Sequence, residues 1–274
     1  IARLAQARDL IELGSGSSTK TRLLIEAGLT EGSLERYIPV EVSQEIAEQS
    51  ARALVEAYPE LSVHAVVGDF EKQLGRIPSG GRRMVAFLGS TIGNFRSESA
   101  VVLLSQVPAL LPRGGFFLLG TDLVKDKSVL EAAYNDSQGV TARFNLNILN
   151  VINRNLDGDF DPRAFAHVSF YNEEEQRIES YVQSRRNQTV RLNALDLEVS
   201  LEEGERIRTE VSCKYTRRSV ERLLERAGLN LEHWFTDPAG NFALSLSHPA
   251  RREKWDRSLL PTGEKGPVAF FLGE

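Results

Sequence analysis

Along the first half of the chain, short apolar runs alternate with longer stretches in which hydrophobic residues recur every three or four positions. The runs at 9–13, 35–40, 62–67, 83–88 and 115–121 predict strands, and the spacing between them predicts helices over 19–28, 44–57 and 98–111. Pro112 and the Gly114–Gly115 pair end the last helix, since proline cannot donate to a helical turn. Strands and amphipathic helices in succession are the sequence form of a parallel sheet covered on both faces. The pattern therefore predicts an α/β chain with a doubly wound sheet, its ligand held at the carboxyl ends of the strands.

The rhythm changes after Thr121. A long helical pattern rich in Asn runs over 126–153, and 164–170, 176–187 and 189–200 have the alternation of strands with charged faces. At Thr216 the earlier pattern returns, with an amphipathic helix over Arg217–Ala227 and strands at 229–236 and 242–248. Residues 1–125 and 215–249 are read as one domain, and 126–214 as an α+β subdomain inserted into it. Residues 250–274 form a C-terminal extension, in which Val268–Leu272 has the pattern of an edge strand.

Composition narrows the partners. With 274 residues, 41% of them hydrophobic, the chain can bury a sizeable core. A formal net charge of −5 and the lack of a long Lys/Arg run argue against nucleic acid, which needs a concentrated basic face. The single cysteine, Cys213, excludes an internal disulfide framework and a cysteine-rich metal site, and fits a reducing cytoplasm. No apolar run approaches the roughly 20 residues that span a bilayer, and Ile1–Leu4 has no signal-peptide pattern. The expectation is a cytoplasmic monomer acting on a small molecule.

The segment Asp9–Thr21, DLIELGSGSSTKT, runs from an apolar strand into a Gly/Ser-rich turn that opens a helix. Gly14 and Gly16 permit a sharp bend and close backbone approach to an anionic or nucleotide-like ligand. Three ligand classes use such a turn: dinucleotides, nucleotide phosphates and S-adenosylmethionine. The first two want a glycine where Thr19 stands, whereas the third is usually preceded by an acid, here Glu12. The turn alone does not choose among them.

The ends of the next strands add to the choice. Glu41 follows Tyr37–Val40 and lies 25 residues after Gly16, near the spacing at which an acid meets ribose hydroxyls; an exposed acid opening a helix is the plain alternative. Asp69 in VVGDF can accept from an adenine amino group while Phe70 packs on the base, or can simply cap the next turn. Met84–Leu88 is followed by Gly89-Ser90 and not by a magnesium-binding acid, which disfavours triphosphate hydrolysis. In FLGSTIGNF, Asn94 offers an amide, both donor and acceptor, to a reacting amine or carboxylate; its alternative is a helix cap. No nucleophile elbow is present, and His64, His167, His233 and His248 lack metal-ligand spacing. Glu210 and Ser212, two apart in a strand pattern, project to one face; by spacing alone this is an exposed strand face.

These segments together resemble the histidine N-alpha-methyltransferases of ergothioneine biosynthesis over residues 8–248. The likeness is carried, in order, by ELGSGSSTKT (12–21), YIPVEVS (37–43), GDF (68–70), FLGSTIGNF (87–95), LLGTDLVKD (118–126), AAYND (132–136), FN (144–145) and RTEVSCKY (208–215). The resemblance implies a Rossmann-like class I methyltransferase fold and trimethylation of the α-amino group of L-histidine to hercynine. It also implies S-adenosyl-L-methionine as methyl donor, without a metal. By position it implies that Gly14 and Lys20 hold the methionine part of the cofactor, with Ser15, Gly16 and Gly89 also at the cofactor, Glu41 at the ribose, and Asp69 and Phe70 at the adenine. It implies that Gly89 and Asn94 contact the substrate's amino and carboxylate groups, Asn94 aiming the amine for transfer. Tyr134 falls at a carboxylate-binding position and Glu210 with Ser212 at the imidazole-recognising pair. Three departures bear on the expectation. The family's further N-terminal segment, which brings tyrosine hydroxyls to the substrate, is absent from this sequence; Ser180 stands where methionine is common, which enlarges the side-chain pocket; and 250–274 lies beyond the likeness. A methyltransferase for another aromatic amino acid, such as tryptophan, and a non-catalytic cofactor-binding subunit are the competing readings.

Overall fold

The computed structural model describes residues 1–250, so the pattern at Val268–Leu272 lies outside the described residues. After a short α1 (Ala2–Ala5), β1 (Asp9–Leu13) is buried along its whole length, because strands flank it on both sides and helices cover both faces. α2 (Arg22–Thr30), β2 (Arg36–Glu41) and α3 (Gln44–Ala57) follow, with β2 parallel to β1. α2 begins later than the sequence pattern predicts, since Ser18 takes a positive φ and holds the preceding turn open. The single strand expected over 62–67 is two short ones, β3 (Ser62–Val63) and β4 (Val66–Val67), each paired with β2. β5 (Arg83–Phe87) lies on the other side of β1. The helix expected over 98–111 is divided into α4 (Ser97–Leu104) and α5 (Val107–Leu110), because Pro108 has no N–H to continue the first. β6 (Phe116–Asp122) then pairs in parallel with β5.

Between β6 and the return of the main sheet, the long helix expected over 126–153 is likewise two: α6 (Lys127–Tyr134) and α7 (Val140–Leu156). Gly139 at φ +64° breaks the run, and the Asp136 carboxylate caps α7 by accepting from Val140 N–H and Thr141 N–H, both at 2.8 Å. β7 (Phe165–Asn172) and β8 (Arg177–Ser184) form a hairpin. The strand expected over 189–200 is a second hairpin, β9 (Gln188–Leu192) and β10 (Leu197–Leu201), turned at Asn193–Asp196, where Asp196 takes φ +48°. β11 (Arg206–Cys213) joins β8, giving a three-stranded antiparallel sheet in the order β11-β8-β7. Leu149 of α7 packs with Phe165, Val182, Val190 and Leu201 in a core of their own.

α8 (Arg217–Arg226) starts from a capping box in which Thr216 and Ser219 bond each other's backbone N–H. β12 (Leu229–Thr236) and β13 (Phe242–Pro249) close the main sheet as an antiparallel hairpin beside β6, in the order β12-β13-β6-β5-β1-β2-β3. One core, with Leu13, Val85, Phe117, Val107 and Leu224, lies on the α4, α5 and α8 side; a second, with Leu10, Ile25, Tyr37, Leu54 and Leu118, lies under α2 and α3. The chain runs outward from β1 through β2 to β3, then crosses back to β5. That reversal opens a crevice at the carboxyl ends of β1 and β5. The second sheet meets the first at the carboxyl end of β6, where Val124 N–H donates to the Tyr215 carbonyl and Tyr215 N–H to the Asp122 carbonyl, both at 2.9 Å.

Candidate active site

At the crevice, Gly14 and Gly16 take φ +68° and +51°, which side chains with a Cβ adopt at a cost. A Cβ on Gly14 would also lie 3.3 Å from the Phe70 ring, so the glycine is needed for space as well as for angle. Phe70 packs edge-on against Phe87, with ring centroids 5.3 Å apart. Ser15 Oγ is buried and has no hydrogen-bond partner among the described residues. Glu41 ties the two strand ends together: one carboxylate oxygen accepts from Gly16 N–H at 2.9 Å, the other from Ser43 N–H at 3.0 Å. Asp69 does what its plain alternative expects, accepting from Glu71 N–H at 2.8 Å, and pairs with Lys72 at 3.1 Å. The Glu71 N–H, then the Lys72 ammonium, hold its carboxyl below the usual aspartate range.

Beneath the turn lies a network that local sequence patterns do not reveal. Ser50 Oγ donates to Ser18 Oγ at 3.0 Å, Ser18 lies 2.9 Å from the Tyr37 hydroxyl, and Tyr37 donates to the buried Glu12 carboxylate. Thr21 Oγ1 donates to the same carboxylate at 2.6 Å. With Tyr37 as donor to Glu12, each hydroxyl points its hydrogen toward the acid. Burial nevertheless pushes the Glu12 carboxyl up, against the opposing hydrogen bonds from Thr21 and Tyr37. The signal was a glutamate inside an apolar strand.

The loop after β5 carries Gly89 at φ +71° and Ser90 at φ +60°, then a 3₁₀ turn over Thr91–Asn94. Asp122 N–H donates to Ser90 Oγ at 2.9 Å, fixing the loop to the end of β6. A Cβ on Gly93 would stand 2.8 Å from the Cys213 carbonyl oxygen, so this loop lies backbone to backbone against β11. Asn94 is exposed, and its carboxamide has no partner among the described residues. Gly89 and Lys20 share the wall of a cleft of about 370 Å³ with Leu23, Leu88, Phe242 and Leu244.

On the second sheet, Ser169, Ser180 and Glu210 stand abreast across β7, β8 and β11, and so share one face. Ser212 lies two residues further along that face in regular register, while a bulge between Arg208 and Glu210 precedes the pair. The Glu210 carboxylate is half-buried without a hydrogen-bond partner among the described residues; burial raises its pKa, opposed by Lys214 and His167. Ser180 Oγ is buried 3.1 Å from Ser169 Oγ. His167 is held by Asn145 Nδ2 at 2.8 Å and by the Tyr134 carbonyl at 2.9 Å. Lys214, not singled out from the sequence, is the connector: its buried ammonium reaches Asp122 at 2.9 Å, Ser212 Oγ at 2.8 Å and the Tyr134 hydroxyl at 3.2 Å. Its signal was the same period of two that links Glu210 and Ser212.

The fold thus gathers Gly14, Ser15, Gly16, Glu41 and Phe70 at one end of the crevice, and Tyr134, Ser180, Glu210 and Ser212 beside the β6 end. Asn94 and Asp69 make no hydrogen bond to another of the predicted residues. Among the described residues, no group of three or more His, Cys, Asp or Glu side chains is gathered to hold a metal, and no helix is long and apolar enough to cross a membrane.

The profile of a family described as "Histidine-specific methyltransferase, SAM-dependent" matches residues 1–249. The chain belongs to this family. It is 49% identical over 247 residues to the histidine N-alpha-methyltransferase of Mycolicibacterium smegmatis and 46% identical to that of Mycobacterium tuberculosis, in each case over 90% of this chain and 77% of the relative. Among solved structures, the CcbJ methyltransferase from Streptomyces caelestis shares the fold with a TM-score of 0.53 at 17% identity, covering 91% of this chain and 92% of that one. The family uses S-adenosylmethionine, and the crevice fits that cofactor on its own terms. It has an unpartnered serine hydroxyl in the turn, a glycine, Gly14, where a Cβ would crowd the Phe70 ring, and a carboxylate at the end of β2.

Proposed function

We propose that the protein transfers three methyl groups in succession to the α-amino nitrogen of L-histidine, giving hercynine, a reaction of ergothioneine biosynthesis. The observation that carries the substrate is Glu210, a half-buried carboxylate without a partner, two residues along one strand face from the Ser212 hydroxyl. A neutral imidazole has one N–H and one bare nitrogen; a carboxylate accepts the first and a hydroxyl donates to the second.

Gly14, Ser15, Gly16 and Lys20 hold the methionine part of S-adenosylmethionine, with Gly89 beside them, and Glu41 takes the ribose. Each Glu41 oxygen accepts only one backbone N–H, so lone pairs remain for two ribose hydroxyls. Asp69 and Phe70 receive the adenine. When bound, the cofactor supplies a methyl group on a sulfonium, which is electrophilic. Gly89 and Asn94 orient the substrate amine, Asn94 turning its lone pair toward the crevice, and Tyr134 binds the carboxylate. The α-amine of a free amino acid titrates above neutral pH, so a small fraction is neutral without a strong base, and positioning supplies most of the acceleration. Residues 126–214 serve as the substrate-binding unit over the strand ends of 1–125 and 215–249. The single cysteine fits the cytoplasm.

Mass spectrometry of an amino-acid mixture incubated with cofactor and protein tests this reading. The expected result is histidine gaining one, two and three methyl groups. Glu210→Ala should leave cofactor affinity unchanged and lower kcat/KM for histidine by about 100-fold, the scale for stranding a polar ring in a dry pocket. Unchanged histidine turnover in that variant would return Glu210 to a structural role.

A further inference from the structure

Lys214 sits at the crossing from the second sheet back into the first, with only 1% of its side chain exposed. Its three contacts, Asp122, Ser212 and Tyr134, use all three N–H bonds of an ammonium, which has no acceptor to offer. Toward Lys214 the Ser212 and Tyr134 oxygens must accept. Their own hydrogens are therefore directed elsewhere, and neither has an acceptor among the described residues. The Asp122 carboxylate lies against the Lys214 ammonium while also pairing with Lys125 at 2.6 Å.

We propose that Lys214 is a positioning residue that fixes both hydroxyls as donors toward the substrate, so that the site takes a neutral imidazole at Ser212 and a carboxylate at Tyr134, and rejects an imidazolium. This rests on the histidine reading above. An imidazolium has two N–H groups and no bare nitrogen, so it would meet the Ser212 hydrogen with one of its own and would lie near a second cation. Lys214 thereby selects the protonation state of the side chain, while Glu210 selects the N–H.

The charged and titratable groups around this ammonium are Asp122 and Lys125 at the end of β6, Tyr134 on α6, His167 and Tyr171 on β7, Glu175 and Arg177 at the β7–β8 turn, and Glu210 and Cys213 on β11. All of them remain in a variant of Lys214 alone. The substrate amine titrates alike in parent and variant, but the ammonium holds down the Glu210, Cys213 and Tyr171 pKa values, which rise without it. Ser212→Ala keeps the ammonium in place and so separates the hydroxyl's effect from that shift.

The test is the ratio of kcat/KM for L-histidine, parent over Lys214→Met, from about pH 8 down to about pH 5.5, across the imidazole pKa of about 6.5. The expected ratio is about tenfold at the upper end and shrinks at least about threefold at the lower, where the parent's preference for the neutral ring becomes a handicap. Lys214→Arg keeps a donor-only cation, so its ratio should stay flat with pH. S-adenosylhomocysteine affinity by calorimetry reports whether each variant is folded. If Lys214→Met does not fold, Ser212→Ala, which leaves the ion pair in place, should show the same shrinking ratio and decides the matter. A ratio that does not change with pH, in whichever of these two variants decides, makes Lys214 merely structural and overturns the inference. Absence of methyl transfer to histidine by the parent is a different failure, overturning the functional reading and this inference with it.

Discussion

Glu12 and Glu41 lie near the same crevice, and their surroundings set them opposite tasks. Glu41 is partly open and holds the Gly16 and Ser43 amides, so its remaining lone pairs face a ligand. Glu41→Ala should weaken S-adenosylmethionine binding by about 1–3 kcal/mol, the range for losing charge-assisted hydrogen bonds; unchanged affinity by calorimetry in a folded variant would remove it from the site. Glu12 is sealed under the turn, and burial raises its pKa. Above the ordinary glutamate value of about 4.3, the native protein therefore still holds a proton that the unfolded chain has released, and stability falls as pH rises through that window. Glu12→Gln removes the titration. The melting temperature of the parent should decline relative to that variant as pH rises from about 4, and parallel curves would count against the buried proton. Spacing made Glu41 legible, because strand end and turn are local. The Glu12 network was not, since Tyr37 and Ser50 join it only once β2 and α3 are folded against β1.

Elements were legible wherever period and punctuation agreed. Along 126–153 the helical period continues through Asn135–Gly139, yet Gly139 takes a left-handed angle and Asp136 caps a new helix. The Thr141 N–H and then the Val140 N–H hold the Asp136 carboxyl down at about 2. Its stabilisation is therefore present above the ordinary aspartate value of about 3.9 and lost as pH falls toward about 2. Asp136→Ala should lower the melting temperature at neutral pH, with the difference from the parent shrinking across that acid range. A constant difference would mean that the cap contributes through packing alone. The break has a consequence for the site, because it lets α6 end at Tyr134, beside Lys214, while α7 places Asn145 on His167. Likewise the misread strand over 189–200 is a hairpin because Asn193–Asp196 turns with only modest local signals.

At the scale of the whole molecule, the crossings into and out of the second sheet lie side by side. Asp122 and Val124 bond Tyr215, and the Gly93 backbone rests on Cys213. The loop bearing Asn94 and the strand bearing Glu210 and Ser212 are thereby fixed to each other, though more than a hundred residues separate them. Pocket size belongs to this scale, as Ser169 and Ser180 stand beside Glu210 with small side chains. Ser180→Met should narrow the space, lowering turnover of tryptophan by about tenfold more than that of histidine. Equal losses in parallel kinetics would show that position 180 does not bound the ring.

The sequence by itself determined the types of most elements, the doubly wound order and the glycine turn, because periodicity, Gly and Pro act on neighbouring residues. It also placed Glu210 and Ser212 on one face, since a strand's period of two is local. Only the tertiary structure decided which residues stand abreast of them, how Glu12 is braced, and that Lys214 is buried against Asp122. Those contacts join positions far apart in the chain, and strand pairing and burial bring them together only when the whole sheet closes.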